Sequence, residues 1–516
     1  MRHQKTVLNY VKSTFVLFSL VTTMALTAVG VRAVESVTVV PQETVTDQTA
    51  KPAPMSLVQV LAYALDHNPQ RQAAWYAAKA AKARIGTAAS EGGLQVNLNG
   101  SASNQWGFGS VGTYVPGGGL PMKGWRESLA ADATLPIYTG GRVKGNKKVA
   151  GYNYQQAVAQ AVGTEQDLIF NTTLDYLKIL QNQQLADVNQ ANLAVAKERY
   201  RIAIARVKVG AAIKQEELRA YTDEATAQQD LVEAQNALKQ SYANLNAIMG
   251  RAPQTPLVIL PVEQLTLPQP LIANPAQLGK STFTSNALLP GAAENTIAQP
   301  QNSATLASGQ QLAEIADSSS PSLAALQAQV LAAEASVGVA KAGKKPSLGL
   351  NLGALISNPI SYLVRFIVSL GGSLVQNLFD SGRTSSQVRT AQATVQQLKS
   401  SLQNGELNVA NQIENSLLAL NSAKEREVST KTAVPSAQEA LRIAQLGYAA
   451  GKLTSLNVID AQAALLTAQT DAINSRFDMA ASQAQLAAAV GVLTDEGQEA
   501  YGRSVPLEKV IDKKGE

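Results

Sequence analysis

Side chains able to do covalent chemistry are scarce in this chain. Cysteine is absent and histidine occurs only at His3 and His67. Without cysteine there is no thiol nucleophile, thiolate metal site, disulfide or acylated N-terminal cysteine. His3 falls in a basic, apolar leader, so His67 stands alone beside a helix end, without the partners that a triad or a metal cluster needs. The glycine runs Gly117-Gly118-Gly119 and Gly140-Gly141 are not followed by the Gly-Lys-Ser/Thr of a phosphate cradle. Acids are scattered along helical stretches, which is the pattern of solvated faces and not of a catalytic pair. The chain therefore reads as no enzyme, with no catalytic residue, cofactor or metal site.

What does recur is a set of glycine and arginine landmarks, and their spacing points to geometry instead of covalent chemistry. Gly141-Arg142 returns as Gly382-Arg383, Arg201-Ile202-Ala203 as Arg442-Ile443-Ala444, Gly210 as Gly451 and Gly250 as Gly491, each 241 positions later. Asn68-Pro69 and Ile85-Gly86 return as Ser320-Pro321 and Val337-Gly338 at an offset of 252, so the first copy carries 11 extra residues between Gly86 and Gly141. A fixed-period duplication sets the architecture. Long halves with no length drift between landmarks must be rigid rods, while the extra length belongs in the Gly-rich hairpin near residues 106–123.

The elements that hold those landmarks follow from periodicity. Residues 56–68 and 69–90 read as two helices, the second Ala-rich. Leu94, Val96 and Leu98 then alternate with Gln95, Asn97 and Asn99, and Leu129, Ala131, Ala133, Leu135 and Ile137 alternate with mostly polar neighbours. The second copy repeats the switch at Leu348, Leu350 and Leu352 and at Phe366, Val368 and Leu370. These are two strands per copy, each long enough to cross a bilayer when tilted. Residues 142–209 and 383–450 are helical, with narrow seams such as Leu402, Val409, Ile413, Leu417 and Leu420, or Leu231, Leu238 and Leu245. Each helix of this length spans about 100 Å, and Pro435 should kink or break the second. After each tip glycine a helix of roughly 40 residues returns to Gly250 or Gly491.

Composition agrees with thin seams between helices, since only 5% of residues are aromatic and the apolar share is weighted towards Ala. Residues 1–33 read as a secretory signal with Arg2, Lys5, Lys12 and Arg32 and no acid, so removing it lowers the formal charge from +5 to +1. The basic balance is thus a targeting feature, and nucleic-acid binding is not expected.

Four strands per chain cannot close a membrane barrel, whose smallest examples have about eight, and an open edge in lipid leaves backbone groups unsatisfied. Several chains must share one barrel, and a passage for solutes favours at least three.

The strand-to-helix junctions Leu135-Pro136-Ile137-Tyr138-Thr139-Gly140-Gly141-Arg142 and Leu378-Phe379-Asp380-Ser381-Gly382-Arg383 resemble the P-L-F-D-G-G-R element of the TolC-like outer-membrane efflux proteins. So do the tips, from Tyr200 to Gly210 and from Leu441-Arg442-Ile443-Ala444 to Gly451. The resemblance implies a mainly α, internally duplicated fold. Long coiled-coil helices form a periplasmic α-barrel, and four strands per chain contribute to a shared, trimeric twelve-stranded β-barrel. It implies an outer-membrane homotrimer serving as the exit duct of a tripartite efflux or type I secretion system. Its partners would be a periplasmic adaptor (membrane fusion) protein, an inner-membrane pump or ABC transporter, and outer-membrane lipid.

The family places an acid six residues after one tip glycine, matched by Glu216. At the other tip it places a Tyr three before the glycine, an Arg two after and acids six and nine after. Tyr448 and Asp460 match, whereas Leu453 replaces the Arg and Asn457 the first acid. The implied gate is therefore Asp460, Asn457, Tyr448 and Glu216, with a Tyr448–Glu216 latch and Lys452 as a candidate substitute for the Arg. The implied adaptor contacts are Val209, Gly210, Ala211, Gly451, Lys452 and Leu453. A structural periplasmic coiled-coil scaffold or adaptor-like protein is the alternative, but it leaves the strand pairs unexplained.

The resulting division is a signal at 1–33, a mobile leader at 34–55 and a first repeat at 56–250. A Pro-rich crossing segment with a disordered insertion covers 251–320, a second repeat 321–491 and a loose tail 492–516.

Overall fold

The computed structural model describes residues 54–108, 121–260, 309–358 and 365–492. The signal, the insertion expected at 278–308, residues 34–53 of the leader and 493–516 of the tail lie outside them. The first copy is Leu57–His67 (α1), Pro69–Ser90 (α2), Gln95–Phe108 (β1), Pro121–Tyr138 (β2), Arg142–Lys208 (α3) and Lys214–Ile248 (α4). The second is Gly309–Ser319 (α5), Pro321–Ala342 (α6), Ser347–Asn358 (β3), Arg365–Val375 (β4), Arg383–Ala449 (α7) and Ser455–Val490 (α8). The copies match element for element: α1 and α5 have 11 residues each, α2 and α6 have 22, and α3 and α7 have 67. At the usual rise, α3 and α7 are each about 100 Å long.

Local chemistry sets the helix ends. Ser56 and Gln59 form a capping box on α1, and Asn68 caps α2, whose first residue is Pro69. Gly141 and Gly382 enter α3 and α7 with φ of 94° and 83°, which glycine adopts without the strain other residues incur. The returning helices α4 and α8 end at Gly250 and Gly491, both left-handed. A Cβ on Gly250 would lie 2.8 Å from the His67 carbonyl oxygen, and one on Gly491 2.8 Å from that of Ser319. Each returning helix is thus seated on the end of its own copy's short helix.

The two larger cores lie where the short helices meet the middle of the rods. One core joins Val60 and Ala64 of α1 to Tyr176 and Ile179 of α3, Leu245 of α4 and Phe477 of α8. The duplicate core joins Leu312 of α5 to Ile413, Leu417 and Leu420 of α7 and Leu486 of α8. Beside the first, the buried Glu165 of α3 pairs with Arg71 and accepts the Trp75 indole N–H at 2.8 Å, which ties α2 to α3.

Three expectations change here. Met55, placed at the end of the mobile leader, hydrogen-bonds Val258 and Leu260 and forms a parallel bridge with Ile259, because the crossing segment packs against α3 through Tyr176. α5 occupies part of the region expected to be crossing segment and insertion; it is α1 moved by the same 252 positions that relate the Pro69 and Pro321 helices. α7 runs through Pro435 without a break. An interior proline costs a helix about 3 kcal/mol. Packing against α8 opposes that cost through Thr430–Ser475 (2.7 Å), Arg426–Asp478 (3.7 Å) and the buried Ala444.

The strands form one antiparallel sheet in the order β1-β2-β3-β4. Residues directly opposite in a ladder point to the same side. The pairing aligns Val96, Ala133, Leu352 and Leu370 in one row, and Leu98, Ala131, Ala354 and Val368 in the next. One face is therefore apolar across all four strands. The other carries Asn99 against Asp132 (3.3 Å), Ser101 against Ser128 (2.8 Å) and Asn351 against Ser373 (3.3 Å). Leu98, Leu352 and Leu370 are 58, 49 and 78% exposed, more apolar surface than a water-soluble sheet leaves open.

Candidate functional site

The candidate gate residues come from the two tips, where each 67-residue helix reverses. After α3 the chain turns at Gly210 (φ 73°), with the Ala211 N–H donating to the Arg206 carbonyl at 2.8 Å. After α7 it turns at Gly451 (φ 70°), with the Lys452 N–H donating to the Gly447 carbonyl at 2.8 Å. Nothing lies within 4 Å of a Cβ built on either glycine, so backbone conformation and not crowding favours glycine there. Val209, Gly210, Ala211, Gly451, Lys452 and Leu453 are all exposed at these turns.

Tyr448, on the last turn of α7, donates its hydroxyl to Glu216 Oε1 on the first turn of α4 at 3.2 Å. That contact joins the two hairpins of one chain. Sequence reasoning missed the third member. Arg206, on the last turn of α3, donates from Nη1 to the same Glu216 oxygen at 3.4 Å, and its guanidinium carbon lies 5.2 Å from the Tyr448 ring centre. The available signal was a basic residue in the last turn before Gly210, ten positions from Glu216 across a tight reversal.

The other expected gate residues sit apart from this cluster. Leu453 folds back over its own hairpin, since a Cβ on Gly447 would lie 2.6 Å from Leu453 Cδ1. Asn457 accepts from the Thr454 N–H (3.0 Å) and hydroxyl (2.7 Å), capping α8. Asp460 is exposed on α8, and among the described residues it has no ion-pair partner. Neither has Lys452.

Beneath the tip cluster, a cleft of about 660 Å³ separates the hairpins, lined among others by Val195, Arg199, Ile202, Arg219, Tyr448 and Ile459. Burial lowers the pKa of the Arg199 guanidinium, while Asp223, 3.6 Å away, opposes the shift.

The strand-to-helix junctions are held by short polar links. Arg142 pairs with Glu91 at 3.1 Å, and Asn146 donates to the same carboxylate at 2.9 Å. Asp380 accepts from the Gly382 N–H (3.1 Å), the Thr384 N–H (2.9 Å) and the Thr384 hydroxyl. The hydrogen bonds from Thr384 hold its carboxyl below the usual carboxylate range. Gly382 caps the start of α7 beside it, and Arg383 is the first residue of that helix.

A family model described as outer membrane efflux protein matches residues 60–251 and 312–492. Over 348 residues the chain is 24% identical to the cobalt-zinc-cadmium resistance protein CzcC of Cupriavidus metallidurans, covering 66% of this chain and 72% of CzcC. It is 27% identical to the outer membrane protein TolC of Escherichia coli over 127 residues, about a quarter of either protein (25% and 26%). Among solved structures, the outer-membrane channel OprN aligns with a TM-score of 0.66 at 18% identity, covering 84% of this chain and 89% of OprN. The Campylobacter jejuni CmeC outer membrane channel aligns with a TM-score of 0.65 at 16% identity, covering 86% and 88%. At such identities the structural likeness concerns the fold.

Proposed function

The chain belongs to the outer membrane efflux protein family, and from that premise we propose that it is the exit duct of a tripartite efflux or type I secretion system, built as a homotrimer and gated at its periplasmic tips. Members of the family are channels of the outer membrane that extend into the periplasm, and this chain shares that location.

The observation that carries the proposal is the four-stranded sheet, apolar on one face and polar on the other, with β1 and β4 left as free edges. In lipid those edges need partners. Three chains of four strands supply twelve, enough to enclose a lumen lined by the polar face, whereas the eight strands of a dimer would fill with side chains. The helices α3 and α7 continue from the sheet as rods of fixed length, with α4 and α8 returning from the tips, and extend the passage into the periplasm.

Conduction is passive, so the chain's own residues act by lining and closing. Three copies of Asp460 around a symmetry axis would attract cations and repel anions at a constriction. Asn457 in place of a second acid makes that ring weaker, and its amide is already engaged in capping α8. Glu216 and Tyr448 latch one hairpin to the other. The exposed tip turns at Val209 to Ala211 and Gly451 to Leu453, with small residues at Gly210, Ala211 and Gly451, face a periplasmic adaptor, which connects the duct to an inner-membrane pump or ABC transporter. The family whose model the chain matches consists of outer membrane channels, in keeping with a role of passage and not of catalysis.

Direct imaging of the protein extracted from outer membranes in mild detergent tests the proposal. Threefold tubes with a helical section of about 100 Å are the expected result. Unsymmetrical rods that stay soluble without detergent would overturn it in favour of a periplasmic scaffold.

A further inference from the structure

We infer that Arg206 is the cation of the tip latch in this chain, filling the role that the family motif gives to residue 453. The inference rests on the gate reading above and deepens it. Residue 453 is leucine, and its side chain is folded onto Gly447 of its own hairpin, so it cannot take part in the cluster. Lys452 is exposed and, among the described residues, forms no ion pair.

Arg206 instead approaches both latch partners at once. Its Nη1 lies 3.4 Å from the Glu216 oxygen that also accepts the Tyr448 hydroxyl, and its guanidinium lies over the Tyr448 ring at 5.2 Å. The carboxylate thereby receives one charge-assisted and one phenolic hydrogen bond at a single oxygen. A cation over the ring face is attracted by its quadrupole and draws electron density from the phenol, which makes the hydroxyl a better donor to Glu216. Arg206 and Glu216 keep 36% and 29% side-chain exposure, so water screens the pair and its strength is modest.

Position decides the consequence. The three residues come from the end of α3, the start of α4 and the end of α7 of one chain. The latch cation is therefore supplied in cis, by the first hairpin to the second. Breaking the latch means separating the two hairpins of the same protomer.

The test is the closed-state conductance in planar bilayers of full-length channels purified from outer membranes, with assembly of each variant checked by resistance of the oligomer to detergent. The variants are Arg206→Ala, Arg206→Lys, Glu216→Gln and Tyr448→Phe. The Arg206–Glu216 bond lies within the first hairpin and survives opening, so what Arg206→Ala removes from the latch is the cation over the Tyr448 ring, and the open fraction should rise about two- to fivefold. Arg206→Lys should be intermediate, since it keeps the charge and loses the planar fork and its stacking. Combining Arg206→Ala with Glu216→Gln should raise it by less than the product of the single effects. An open fraction unchanged in Arg206→Ala while Glu216→Gln and Tyr448→Phe both raise it would overturn the role of Arg206 alone. All three unchanged would overturn the gate reading, and the latch with it.

Discussion

Replacing Leu352 with arginine should impair membrane assembly severely, while the same replacement one residue earlier, at Asn351, should be nearly neutral. Leu352 lies midway along β3, opposite Ala133 and Leu370 on the apolar face, and is 49% exposed. Asn351 lies opposite Thr134 and Gly371 on the polar face. An arginine facing lipid near the bilayer midplane costs roughly 2–4 kcal/mol per chain. With tenfold for every 1.4 kcal/mol, that is roughly a 30- to 700-fold shift in the insertion equilibrium. At position 351 the guanidinium would point into the watery lumen, where the cost is about zero. The assay is denaturant-dependent folding into lipid vesicles, supported by the amount of oligomer recovered from outer membranes. Because side-chain direction alternates strictly along a strand, the contrast between neighbours isolates the face from any general intolerance of arginine. Equal losses at both positions, or a greater loss at 351, would refute the assignment of the apolar face to lipid.

Three further outcomes follow from the same geometry. Gly491→Ala should destabilise the protein by about 2 kcal/mol or more, because it combines left-handed strain with a clash, whereas Gly451→Ala, strained but uncrowded, should cost only about 1; denaturant midpoints of the two variants decide this. At Asp380, hydrogen bonding from Thr384 depresses the folded-state pKa, so its contribution is present above the ordinary aspartate pKa and is lost as the pH falls through the depressed value. Asp380→Asn should flatten this acid limb in a stability–pH profile, and an unchanged limb would remove the junction as its source. Asp460→Asn should lower cation selectivity in planar-bilayer recordings, and unchanged selectivity would take Asp460 out of the constriction.

Much of the fold was legible because the chain repeats its own punctuation. Gly141 and Gly382, Gly210 and Gly451, and Gly250 and Gly491 mark positions where positive φ is needed, and a glycine required for backbone reasons leaves a trace in sequence. The strand faces were legible for a similar reason, since alternation such as Leu348, Leu350 and Leu352 has a period of two whatever surrounds it. α5 was missed although the offset of 252 pointed to it, because the low-complexity stretch before it obscured the start of the second copy. The continuity of α7 through Pro435 was not legible, because the packing that opposes the break comes from residues about 45 positions away, as with Thr430 and Ser475.

The candidate site divides along the same line. Glu216 and Tyr448 could be matched to a motif by counting from a glycine. Arg206 could not, because its place beside Glu216 depends on how sharply the chain reverses at Gly210 and how closely α7 approaches. The same holds for Asn457 and Leu453, whose side chains face local partners that compete with any role in the pore.

Taken alone, the sequence determined the duplication, the lengths of the rods and the alternation of the strands, all of which are properties of residues read in order. Tertiary structure alone decided which strands pair and in what register, so that the rows through Val96 and Leu98 are apolar across all four strands. It also decided that three helix ends meet around one carboxylate, since contacts between residues 206, 216 and 448 are set by the separation of helices in space and not by their separation along the chain.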